Sequence, residues 1–158
     1  MGYYNGELRS WLGWAQEVAG DHAAAQESWR QARSVLESFL KQQPDNFSLI
    51  GFLALANAGL GDKAAALTVA ERAMATLPIE KDTLLGPFPV EIFARVAAQV
   101  GERDRAIAAL QKLLAIPYAG PFAENVPLTP ALLRLDPMFD PLRNNPRFQK
   151  LTASTGPE

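Results

Sequence analysis

A glycine followed by an acid returns three times along this 158-residue chain, at Gly20-Asp21, Gly61-Asp62 and Gly101-Glu102, spaced 41 and 40 residues apart. Residues around each turn repeat with it. Eight places before the glycine stand Leu12, Leu53 and Phe93, and seven before it the small Gly13, Ala54 and Ala94. Five after it stand Ala25, Ala66 and Ala106; twelve after it, Ala32, Ala73 and Leu113. Self-similarity at this period marks stacked helical hairpins, an α-solenoid. Two helices approach closely only where small residues meet, and large residues fill the space beside that contact. The glycine supplies the left-handed residue that ends a first helix, and the acid favours the positive end of the second.

Apolar spacing and turn chemistry predict helices over roughly 5–19, 22–42, 46–60, 62–77, 88–100 and 103–116. Val35 and Phe39, Leu36 and Leu40, and Ile107, Leu110 and Leu114 carry the helical period. Pro78 to Pro89 reads as an ordered loop, and 117–129 as an irregular proline-rich connector. Thr129-Pro130, Asp136-Pro137 and Asn145-Pro146 each pair a capping residue with proline at a first helical position. These predict short helices over 129–151 that cap the third hairpin. Residues 152–158 read as a flexible tail. The expected architecture is therefore all-α: one solenoid domain over 1–151, with repeats at about 5–44, 46–78 and 87–117.

The pattern resembles the tetratricopeptide repeat. The middle unit carries it most fully, with Leu53-Ala54, Gly61-Asp62, Ala66, Ala73 and Pro78. The first unit keeps Leu12-Gly13, Gly20-Asp21, Ala25, Trp29 and Ala32, and the third keeps Phe93-Ala94, Gly101-Glu102, Ala106, Leu110 and Pro117. Pro44 comes late, which implies a long second helix. Where the family has tyrosine before the turn, this chain has Gln16, Asn57 and Ala97. The family period is ~34 residues; the extra residues fall in the long second helix and in 78–89. The stretches Leu77–Pro87 and Leu133–Arg143 are similar to the C-terminal repeat region of bacterial signalling proteins. There, such repeats follow a serine/threonine kinase, a nucleotide cyclase or a winged-helix domain.

The resemblance implies a non-catalytic module that binds a protein or peptide in a concave groove lined by first helices. The groove positions are Ser10, Trp14 and Glu17; Gly51, Leu55 and Ala58; Glu91, Arg95 and Ala98. One tryptophan, small residues and a Glu91/Arg95 pair suit an extended or helical peptide. Trp14 has an equal alternative, packing against an upstream repeat. The competing function is self-association, as a regulatory dimerisation domain. In that reading an open N-terminal edge of Tyr3, Tyr4, Trp11 and Trp14 pairs with a second copy.

Chemistry finds little purchase in this sequence. Gly59-Leu60-Gly61-Asp62-Lys63-Ala64 fits a loose dinucleotide fingerprint, but a helix precedes it where that motif needs a strand. His22 is the sole histidine and reads as an exposed helix start. Asp136 and Asp140 stand four apart, each before a proline, and read as helix caps rather than paired catalytic acids. No catalytic, cofactor-binding or metal-binding residues are expected. A net charge of −2 gives no strong attraction to nucleic acid or anionic membrane. The basic tail residues Arg134, Arg143, Arg147 and Lys150 read as a solvated face. Zero cysteines exclude disulfides and fit a cytoplasmic location. Asn46 to Gly61 carries no charge, yet holds too many polar and small residues for the ~20 apolar positions of a membrane span.

Overall fold

A computed structural model describes residues 3–118 and 126–153. The described residues are helical, with no strand among them: α1 Tyr3–Val18, α2 His22–Leu40, α3 Phe47–Gly59, α4 Lys63–Thr76, α5 Pro87–Val100, α6 Arg103–Leu114, α7 Pro130–Leu135 and α8 Pro146–Ala153, with a 3-10 helix at Pro137–Leu142. None of these is long and apolar enough to cross a membrane. Two compact units divide the chain, 1–76 and 77–158, with the boundary at the close of the second sequence repeat.

The three repeated turns have the backbone their sequence calls for. Gly20, Gly61 and Gly101 have φ of 83°, 79° and 93°, where an L side chain is strained. The acid that follows is used in two ways. Asp21 and Asp62 accept from the backbone N–H of Ala24 and Ala65 at 3.1 and 3.2 Å, satisfying donors that a helix start leaves open. Glu102 makes no such bond. Its extra methylene places the carboxylate past the geometry that suits Asp, which leaves it the favourable charge at the helix start that the sequence predicts.

In the first unit α1 packs on α2, α3 on α4, and α3 also on α1 and α2. That placement explains the uncharged run from 46 to 61: an interior helix needs no polar face, and Leu49 through Asn57 are buried without a break. Trp29 is the pivot. Its Nε1 donates to Ser10 O at 3.2 Å, and its ring meets Trp14 edge-on at 4.8 Å. A Cβ on Gly13 would lie 2.4 Å from it, and one on Gly59 2.3 Å. Glycine in α1 and glycine in α3 thus admit one tryptophan from α2.

In the second unit α5 packs on α6 and on the 3-10 helix, α7 on α8, and α8 also on α6. The expected caps hold: Thr129 accepts from Leu132 N, Asp136 from Met138 N and Asn145 from Arg147 N. Asp140 differs from its expected capping role. It lies within the 3-10 helix and accepts from Arg143 Nε at 2.5 Å. Helix α8 runs to Ala153, with Thr152 buried and its hydroxyl donating to Gln149 O, so the chain stays ordered two residues beyond the expected start of the tail. Residues 154–158, the inner part of the connector at 119–125 and the Tyr3 side chain lie outside the description.

Candidate protein-binding surface

Helix α1 is apolar on two faces. On the inner face Gly6, Ser10, Gly13 and Trp14 are buried. Small residues there let α2 and α3 approach. Ser10 Oγ donates back to Gly6 O at 3.0 Å, so its hydroxyl is satisfied within the helix. Trp11 stands at the margin, half-buried, with its ring edge-on to Phe52 at 6.0 Å. The outer face carries Tyr4, Leu8, Leu12 and Ala15, spaced four, four and three residues apart, and then Val18 and Ala19. This is one continuous helical stripe. It is open to solvent: Tyr4 is 67 % exposed, Leu8 65 %, Leu12 48 % and Val18 62 %. Ala19 belongs to the stripe because its N–H still donates to Ala15 O at 3.0 Å.

The repeat shows how unusual that exposure is within this chain. Leu8, Leu12 and Ala15 occupy the same places, relative to the turn glycine, as Leu49, Leu53 and Ala56 in α3 and as Pro89, Phe93 and Val96 in α5. All six of those counterparts are buried. Scattered surface leucines need no explanation, but a contiguous apolar stripe is a contact surface or a liability.

The expected groove is not formed by its nominated side chains. Ser10, Trp14, Gly51, Leu55, Glu91, Arg95 and Ala98 are buried, while Glu17 and Ala58 are half-buried. The physical reason is that these positions lie on faces of the first helices that pack inward. Ser10 faces Phe52, Trp14 lies on Trp29, and Gly51 and Leu55 belong to the helix enclosed by α1, α2 and α4. Glu17 instead meets His22 Nδ1 at 2.9 Å across the first turn. That hydrogen bond, with the Glu17 charge, raises the His22 pKa above its ordinary 6.5. The open N-terminal edge also changes membership. Trp14 and most of Trp11 turn inward, and Leu8, Leu12, Ala15 and Val18 join Tyr4 outside.

Glu91 and Arg95 are paired as the sequence suggested, but inside the second unit. Arg95 Nη2 donates to Glu91 Oε1 at 2.8 Å, and Arg95 also pairs with Asp136 and lies 5.0 Å over the Phe139 ring. Tyr118 donates to Glu91 Oε2 at 2.6 Å and accepts from Leu128 N at 2.9 Å. Burial pushes the Glu91 carboxyl above the usual glutamate value despite the opposing Arg95 charge, and it pushes the Tyr118 hydroxyl up as well, with the Glu91 charge adding to it. This network ties the connector and the C-terminal helices to α5. It is satisfied within the unit, which suits a structural tie.

The places where the resembled family has tyrosine are buried at Asn57 and Ala97 and half-buried at Gln16. Gln16 Oε1 accepts from Ser28 Oγ at 2.7 Å, and Ala97 is fully buried. Asn57 is buried with its Oδ1 unpartnered among the described residues, as is Trp14 Nε1.

Comparison with protein-family models, with curated proteins and with solved structures finds no match to this chain.

Proposed function

We propose that the chain is a non-catalytic protein-interaction module, a solenoid of three tetratricopeptide-like hairpins that docks a protein through the outer face of α1. The exposed stripe of Tyr4, Leu8, Leu12, Ala15 and Val18 carries this reading. Helical stacking gives each hairpin an apolar face for its neighbour, and α1 offers such a face to solvent. A helix laid along it would bury its own i, i+4, i+8 stripe in return. The likeness of 77–87 and 133–143 to bacterial signalling proteins supports a role beside a kinase, cyclase or winged-helix domain in the cytoplasm. The concave groove is the weaker site because its nominated side chains are buried.

Site-specific photocrosslinking tests the surface. With a benzophenone amino acid at Leu8 or Leu12, irradiated bacterial cells expressing the full chain are expected to yield discrete protein adducts. The same group at Lys112, exposed on α6, should yield only background. Adducts absent from both α1 positions, or equal at all three, would overturn the assignment.

A further inference from the structure

We infer that the occupant of the α1 face is a second copy of this chain, its α1 lying antiparallel across a two-fold axis. This rests on the reading of α1 as the docking face and names its partner.

The pattern along the stripe is self-complementary. Its larger residues Tyr4, Leu8 and Leu12 lie toward the N-terminus and the small Ala15 and Ala19 toward the C-terminus, with Val18 at their flank. A two-fold axis centred between Trp11 and Leu12 sets Tyr4 opposite Ala19 of the other copy, Leu8 opposite Ala15, and Leu12 opposite Trp11. Tyr4 and Leu8 then each meet an alanine, twice over, as an isologous contact requires, and Leu12 closes the centre against the exposed margin of Trp11. Small residues at both ends let the helix axes approach, and the large ones fill the space they leave. Parallel pairing has neither property. It places Tyr4 on Tyr4, leaves Ala15 facing Ala15, and sets Glu7 against Glu7. Antiparallel pairing sets Glu7 opposite Gln16, with no like charges facing.

Size fixes the strength. An apolar patch on one helix is a few hundred Å² at most, whereas stable complexes bury roughly 800 Å² per partner. The dimer is therefore reversible and concentration-dependent.

Two measurements on the purified full chain decide the matter. In sedimentation equilibrium across roughly the micromolar decades, the average mass should climb from 17.2 kDa toward twice that value. Leu8→Glu should hold it at the monomer with its urea midpoint unchanged. The register is read by cysteines, since the chain has none of its own. Mixing Leu8→Cys protein with a mass-tagged Ala15→Cys protein should give a disulfide heterodimer under mild oxidation. Neither protein alone should crosslink, because like positions would stand ~10 Å apart along the helices, beyond disulfide reach. A wild-type chain that stays monomeric throughout, or homodimers of Leu8→Cys exceeding the heterodimer, would overturn the proposal. If the purified chain is monomeric while Leu8 captures a different protein in cells, the second copy is excluded and the docking face stands.

Discussion

Replacing Trp29 with alanine is expected to destabilise the first unit by about 3–5 kcal/mol, among the largest effects of a single truncation. The ring is fully enclosed by α1, α2 and α3, and its N–H bond to Ser10 O is lost with it. Gly13 and Gly59, which line the ring, have no side chains to move into the void. The same geometry reverses a familiar rule. Alanine in place of a glycine whose backbone it can adopt usually stabilises by ~0.4–1 kcal/mol. Here the added Cβ of Gly59→Ala would sit 2.3 Å from the Trp29 ring, so the substitution should destabilise. In a Trp29→Ala background the clash is gone, and Gly59→Ala should become neutral or favourable. Urea denaturation of the four proteins closes this double-mutant cycle. A stabilising Gly59→Ala in the wild-type background would contradict the packing.

Arg95→Leu should cost the second unit a similar amount, about 3–5 kcal/mol, because it leaves the buried Glu91 carboxylate without its charged partner, with the Tyr118 hydroxyl still donating to it. Glu91 also sets a pH dependence. Its pKa is raised by burial, so the folded state holds this proton more tightly than the unfolded chain does. That stability is fully present below the ordinary value of 4.5 and is lost as pH rises through the raised folded value. Arg95 opposes the shift, so Arg95→Leu should steepen the decline above pH 4.5 and extend it upward. Glu91→Gln should remove this component, since the amide does not titrate. Urea midpoints of the three proteins against pH provide the check. A flat profile in Arg95→Leu, or an undiminished slope in Glu91→Gln, would contradict the electrostatic account.

The helices were legible in the sequence because their signals are local. The glycine at each turn needs a positive φ, and Asp21 and Asp62 cap where short acids should. Proline after Thr129, Asp136 and Asn145 marked the starts of the C-terminal helices. Helix ends followed to within a few residues. The binding surface was harder to read, because exposure depends on what packs where. Ser10, Leu55 and Glu91 occupy helix positions that suit a groove, yet their neighbours bury them. The exposed stripe did leave a trace. Alongside Gly6, Ser10, Gly13 and Trp14, α1 carries a second apolar line through Tyr4, Leu8, Leu12 and Ala15. Leu12 holds a repeat position, but periodicity alone does not reveal which of two apolar faces finds a neighbour.

The outer face of α1 is an open counterpart of a face that α3 buries, and one pair of substitutions tests this most directly. Leu12 and Leu53 hold the same repeat position, but Leu12 is about half exposed and Leu53 is buried. Their glutamate variants should be compared by urea denaturation at a concentration low enough to keep the chain monomeric. Leu12→Glu should lie within ~0.5 kcal/mol of wild type, as surface changes do. Leu53→Glu should cost several kcal/mol, about what an unpaired buried carboxylate demands. Equal losses in the two variants would show that the α1 face is covered after all, and would contradict the account.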